Sequence, residues 1–457
     1  MPKRSSSWFA AIAPGILIAA TGVGAGDLIT AGVAGSTLGL TIAWAALAGG
    51  VLKWFLNEGI ARWQMATNTT LLEGWVLHLG RWIQWIFLSY LLIWTFVTAG
   101  AIVNACGVAG NGLWPLHPDA STSKIIWGLI HSAAGFVLVW VGGFKLFGKM
   151  MSVFIAVMFV AVVLTAILIK PDWAAVGRGV LTPSFPKEGL GWVFGVLGGV
   201  GGTVTLLCYG YWIREEGRAG AEGVRACRLD LALGYGMTVL FGIAMIIIGS
   251  QVTITGSGAK VAPLLAAQLE KTMGTAGKWV FLVGFWGAVF SSLLGVWQSV
   301  PYLFADFLTL RRCRSLEQRQ AIDYTKTRAY RIYLVAIATI PTILLWYEVL
   351  QIQKAYAVLG ACFMPLLALT LLVLNNRRDL VTPRFCNGWL TNMMLAATLL
   401  FFLYHGATKS IRTLAPADKS ESGASGGLKV FESQALETSA TRCDNAPFSP
   451  LTVRTGR

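Results

Sequence analysis

A chain of 457 residues that is 55% hydrophobic and only 12% charged, with a mean hydropathy of +0.65, lies far from the roughly 25% charged average of soluble domains. These values exclude an ordinary soluble enzyme and point to an all-α integral membrane protein whose long apolar stretches cross the bilayer. The net charge of +15 would suggest a nucleic-acid partner in a soluble protein; here it asks which side of the membrane carries the Lys and Arg side chains.

A crossing needs about 20 largely apolar residues, a criterion that predicts about 11 spans. The first runs from about Trp8 to Leu38 and breaks at Gly24–Asp27, within the run Thr21-Gly22-Val23-Gly24-Ala25-Gly26-Asp27. Each of its three glycines weakens a helix by roughly 1 kcal/mol relative to Ala. A carboxylate at bilayer depth is normally kept for function. The apolar run continues into the break instead of stopping at a small-residue cleavage site, so this span is expected to be retained.

The second and third spans cover Leu40–Trp63 and Trp82–Val108, and the fourth and fifth Ser123–Val141 and Leu146–Ile169. The sixth, Leu190–Ile213, contains Gly198-Gly199-Val200-Gly201-Gly202 and is the second interrupted span. Asp230–Gly249, Trp279–Leu303, Ile332–Trp346, Ala355–Leu374 and Gly388–Tyr404 complete the set. After Gly406 the composition turns to Ser, Ala, Gly and Thr, too polar to bury enough surface to offset ordering entropy. The reading is thus a transmembrane domain over residues 1–406 and a disordered tail over 407–457.

Short cytoplasmic loops are enriched in Lys and Arg. With the N-terminus inside, the inner segments hold Lys53, Arg62 and Arg81, then Arg214–Arg228, Arg311–Arg331 and Arg377–Arg384, and outnumber outer residues such as Lys124, Lys170, Lys260 and Lys354. This alternation predicts a multi-pass protein of the cell (inner) membrane with a cytoplasmic N-terminus, and leaves no charge that needs nucleic acid.

Spans 1 and 6 are both glycine-interrupted, and each opens a block of five. Corresponding broken segments in two halves point to an inverted-repeat secondary transporter with its site at the midplane. The repeats would cover residues 8–170 and 190–375, with 388–404 as an added helix.

Asp27 is the only acidic residue placed inside the first span. It reads as a cation or coupling-ion ligand assisted by carbonyls freed at the break, or more plainly as the cap of a following half-helix. The candidate substrate or ion site comprises Asp27 with Thr21 and Gly24, and Gly202, Thr205 and Cys208 beyond the second break; Asp27 and Thr205 are the candidate metal ligands. Oxygen donors suit magnesium, calcium or manganese, and a sulfur ligand such as Cys208 suits transition metals. Alternatively, the glycines of span 6 only let helices pack closely.

His131, Asp230 and Glu58 are candidates for a proton or ion path, with Asn57, Asn104, Ser291 and Ser292 as further intramembrane polar groups. His131 can titrate near neutral pH, and Glu58 pairs by spacing with Arg62. The seven scattered cysteines lack metal-site spacing and read as packing residues. Phosphate-loop, zinc-protease and nucleophile-elbow patterns are missing from the sequence, so no enzyme, no cofactor and no obligate protein partner is expected.

With these residues in view, the chain resembles the Nramp family of proton-coupled divalent-metal transporters over about Ala13 to Tyr404. Ala13-Pro14-Gly15-Ile16-Leu17 is similar to the family's Gly-Pro-Gly opening of helix 1. Ser291-Ser292, with Phe290 before it, resembles its Gln-Ser-Ser segment, Phe363-Met364-Pro365 its Leu-Pro-Phe region, and Asn375-Asn376-Arg377 its stop after helix 10. The resemblance implies a LeuT-type fold of five plus five helices.

The departures fall on the site. Gly24-Ala25-Gly26-Asp27 stands where the family has Asp-Pro-Gly-Asn, so Asp27 takes the Asn position. Thr205-Leu206-Leu207 stands where it has Met-Pro-His. A divergent branch that moves a hard divalent cation by alternating access, coupled to a proton or another ion, is the expectation. A small organic solute such as an amino acid is the alternative cargo, and a non-transporting membrane sensor or scaffold is the third reading.

Overall fold

The computed structural model describes residues 26–186, 189–199, 202–253, 260–312 and 322–414. Among them all regular elements are helical. In chain order these are α1 (Gly32–Leu38), α2 (Ala43–Thr67), α3 (Leu71–His78), α4 (Arg81–Leu113), α5 (Ala120–Leu168), α6 (Trp173–Leu181) and α7 (Leu190–Gly199). They continue with α8 (Cys208–Glu215), α9 (Gly220–Gly249), α10 (Val261–Arg312), α11 (Arg328–Thr339), α12 (Val349–Ala361), α13 (Phe363–Leu374) and α14 (Trp389–Leu414). The chain divides into two compact units, residues 1–403 and 404–457. Residues 415–457, where the disordered tail is expected, lie outside the described residues.

By length and composition eight helices among the described residues can cross a membrane. A bent pair, Ala156–Leu168 with Trp173–Leu181 turned by 118°, raises this to nine at most. The expected eleven spans do not each reappear, for identifiable reasons. The end of the first span and the whole second form one candidate, Leu28–Thr67, and the last apolar helix, Trp389–Tyr404, is short. Helical backbone also runs from Ala120 to Leu168 without a loop between the fourth and fifth spans. At 49 residues it extends roughly 70 Å at 1.5 Å per residue, too long for one crossing of a hydrocarbon core of about 30 Å.

Lipid tails are as apolar as Leu, so helix association in a bilayer depends on close packing rather than on the hydrophobic effect. Glycines supply it here. A Cβ on Gly249 of α9 would lie 2.0 Å from the Gly32 carbonyl oxygen of α1, and one on Gly35 would lie 2.3 Å from that of Ile246. Helix α2 lies along α9, α5 along α10 and α4, and α7 against α12. Large apolar side chains such as Trp82, Val160, Leu240 and Ile332 remain exposed on the outside, where a bilayer would cover them.

Three irregularities place the site. A π-helical turn, Gly26–Ala31, carries the chain into α1. The sixth span stops at Gly199, passes Gly202 at a positive φ of 84° and resumes through a 3-10 turn, Val204–Leu207, into α8. A one-residue turn at Cys362, itself of helical φ/ψ, separates α12, ending at Ala361, from α13, beginning at Phe363, within the single candidate span Val349–Leu374.

Candidate functional site

The Gly26–Ala31 turn packs against α7, the helix that leads into the interruption of the sixth span. Asp27 is the second residue of the π-helical turn, a local widening that recurs at functional sites. Thr30, one turn on, packs its methyl against Gly195 of α7, where a Cβ would be 3.1 Å away. Thr30 Oγ1 is buried without a hydrogen-bond partner among the described residues. Thr21 and Gly24 lie outside the described residues.

At the second break Thr203 is fixed from two sides. Its hydroxyl accepts a hydrogen bond from Trp94 Nε1 at 2.9 Å. Its methyl occupies the space over Gly360, where a Cβ would be only 2.6 Å away. Gly198 likewise approaches Ala361, a Cβ there being 2.7 Å from the alanine's own. Gly202, Thr205 and Cys208 are all buried, and the Cys208 thiol lies beside Ser299 of α10. The region expected to hold substrate is therefore enclosed by α4, α7, α10 and α12, with the Asp27 turn against α7.

The half-helix beyond the break, α8, is tied to three acids on three other elements. Tyr209 donates to Asp230 Oδ1 of α9 at 2.6 Å. Tyr211 donates to Asp306 Oδ2 of α10, and Arg214 Nη2 donates to Glu73 Oε2 of α3 at 3.0 Å. Glu73 also closes a capping box, accepting from the Thr70 N–H at 2.6 Å while its own N–H donates to Thr70 Oγ1. Asp230 pairs in addition with Arg218. Its part in the structure is thus as an anchor for α8 and for the segment that follows.

Glu58 and Arg62 form the expected pair, at 2.7 Å and almost fully buried. Arg228 reaches the other Glu58 oxygen at 2.8 Å. Arg62 donates further to the Phe385 carbonyl at 3.0 Å and to Asn387 Oδ1 at 2.6 Å.

His131 stands apart from this network. Trp Nε1–H can only donate, so the 2.6 Å bond from Trp286 makes His131 Nε2 the acceptor. The other ring nitrogen, Nδ1, then carries the proton and donates to the Trp127 carbonyl at 2.7 Å. Both nitrogens of a neutral ring are engaged, and the ring lies against those of Trp127 and Phe290.

Two lysines correct the charge reading. Lys53, counted above with the inner loops, is 1% exposed within α2, and its ammonium donates to the Gly198 carbonyl oxygen at 2.9 Å. Lys124, counted as an outer-loop charge, is 4% exposed and donates to Asn104 Oδ1 at 3.0 Å and to the Leu345 carbonyl at 2.7 Å. Both lysines donate to backbone oxygens, which leave no trace in a charge count. A glycine one turn before Lys53 is the available sequence signal, since it lets α2 approach α7.

Among the described residues no three His, Cys, Asp or Glu side chains converge as a metal cage.

In the solved structures this architecture recurs. A histidine-to-alanine mutant of the Eremococcus coleocola manganese transporter matches with a TM-score of 0.66 at 16% identity, over 94% of each chain. A glutamate-to-glutamine mutant of the same transporter matches with a TM-score of 0.68 at 16% identity, again over 94% of each chain. MhsT in complex with L-phenylalanine matches with a TM-score of 0.53 at 17% identity, over 87% of this chain and 96% of its own. These likenesses show the fold, a LeuT-like helical bundle. No curated protein sequence matches. The model of the natural resistance-associated macrophage protein-like family matches residues 15–408, so the chain belongs to the Nramp family.

Proposed function

We propose that the chain is a secondary transporter that moves a metal cation across the membrane by alternating access, coupled to a proton or a second ion. The observation that carries this reading is the contact of the Asp27 turn with α7 through Thr30 and Gly195, which sets a carboxylate-bearing turn beside a second broken helix. In such sites half-helix termini and unwound carbonyls hold ions near the midplane. Manganese transporters of the same fold support the choice of cargo. Asp27 would supply the charge, and Thr205 and Gly202 the neutral oxygens, with Cys208 one turn beyond Thr205. A position in the inner membrane with the N-terminus in the cytoplasm follows from the Lys/Arg bias.

Isothermal titration of the purified full-length protein with magnesium, manganese and calcium, run in parallel on Asp27→Ala, tests the reading. Binding that vanishes in the variant supports a divalent site at the first break. Folded wild-type protein that binds none of the three ions refutes it.

A second reading, a small organic solute such as an amino acid, is favoured by Lys53. A buried ammonium beside the second break repels a divalent cation and suits a carboxylate. Uptake of labelled amino acids into proteoliposomes, with no uptake of metal, would establish that reading instead.

A further inference from the structure

The geometry points to a cation site at the C-terminal end of α7 that the protein fills with its own Lys53 ammonium, where a diffusible monovalent cation would otherwise be held.

The last four carbonyls of a helix lack partners within it, and the helix dipole places partial negative charge there. In α7 that end falls at Gly199, inside the expected sixth span. Lys53 is the eleventh residue of the 25-residue α2, roughly 15 Å along it at 1.5 Å per residue, so the charge also sits deep in the span. Gly49, one turn earlier on the same face, makes the approach feasible. A Cβ there would be 2.9 Å from the Leu197 carbonyl oxygen, and with no side chain in the way α2 lies close enough for the Lys53 ammonium to reach the next carbonyl, Gly198, at 2.9 Å.

Neutral groups would satisfy those carbonyls at lower cost. A helix end is ordinarily closed by a left-handed glycine or a polar side chain, and a charge at the bilayer centre is unfavourable by several kcal/mol. What the ammonium offers beyond a cap is a permanent positive charge beside the second break. An exchangeable sodium or potassium ion on the same carbonyls would supply that charge only when bound. A tethered cation makes the arrangement of α7 independent of the monovalent ions in solution, whatever the transported substrate.

The test is the thermal unfolding midpoint (Tm) of the purified full-length protein in detergent. Sodium, potassium and methylammonium chloride are titrated against choline chloride at constant ionic strength, for wild type, Lys53→Ala and Lys53→Arg. Wild type and Lys53→Arg are expected to show the same Tm in all four salts. Lys53→Ala is expected to have a lower Tm in choline and to regain a few degrees, saturably, when methylammonium or sodium enters the vacated position. A folded Lys53→Ala protein that none of the three cations stabilises overturns the inference. So does a wild-type protein that sodium stabilises as strongly as it does Lys53→Ala. If Lys53→Ala does not fold in any salt, Lys53→Arg decides: a Tm that rises in sodium refutes the tethered charge, and a Tm indifferent to sodium supports it.

Discussion

Glu58→Ala removes the shared acid of the Arg62 and Arg228 pair, and the structure allows its cost to be apportioned. Glu58 and Arg62 are both nearly inaccessible, at 3% and 4% side-chain exposure, whereas Arg228 is 52% exposed. Breaking a buried pair by deleting one partner typically costs about 3–5 kcal/mol, because the other charge is left uncompensated. Arg62 retains the Phe385 carbonyl and Asn387 Oδ1 as acceptors, which puts its share near the lower end, at about 3 kcal/mol. The exposed Arg228 arm adds at most about 1 kcal/mol. Reversible unfolding in mixed detergent micelles on wild type, Glu58→Ala, Arg62→Met and the double variant gives the four corners of a cycle. A coupling energy of about 2–3 kcal/mol is expected, within the range of residues that share one network. A Glu58→Ala protein within about 0.5 kcal/mol of wild type, below the usual scatter of additive sites, or a double variant whose loss equals the sum of the single losses, would refute the assignment.

Two further outcomes follow from local geometry. Gly249→Ala places a methyl where the Gly32 carbonyl already sits, so α1 and α9 must separate; a loss of about 1–3 kcal/mol, as for other overpacked sites, is expected in the same unfolding assay. Asp119 precedes the span that begins at Ala120 and accepts from the Thr122 N–H and hydroxyl. Its carboxyl is held below the usual value first by the backbone hydrogen bond from Thr122 and then by the side-chain one. A depressed folded pKa means that its contribution is fully present above the unfolded value near 3.9 and is lost as pH falls through the lower folded value. Asp119→Asn should therefore lower Tm slightly in the neutral region and flatten its acid limb, so that variant and wild type converge at low pH; an acid limb as steep as that of wild type would contradict the capping role.

The all-helical membrane architecture was legible because a crossing run must satisfy one physical length, and the interruption of the sixth span followed from a glycine cluster that no helix prefers. The pairing of Glu58 with Arg62 was legible for a similar reason, since i,i+4 spacing fixes a helix face. What stayed hidden depends on partners distant in sequence. Lys53 and Lys124 look like loop charges until the carbonyls of Gly198 and Leu345 arrive beside them. Asp306 has no neighbour in sequence to mark it, and only the fold brings Tyr211 onto it. His131 carried a signal for proton chemistry, yet the indole of Trp286, 155 positions away, occupies its second nitrogen. The continuous backbone of α5 was equally invisible, because the two apolar runs Ser123–Val141 and Leu146–Ile169 read as separate spans although one helix runs through both.

The three anchors of α8 also set the direction in which that half-helix can move. At about 100° per residue, Tyr209 points to one side of the axis, and Tyr211 and Arg214 point to roughly the other, with their acids on α9, α10 and α3. Sliding along the axis or turning about it would strain all three ties together. Tilting about the Tyr211 and Arg214 side releases only Tyr209 from Asp230. Such a fastening would leave one preferred direction of tilt, and it is already drawn in the order of side chains along a single turn and a half.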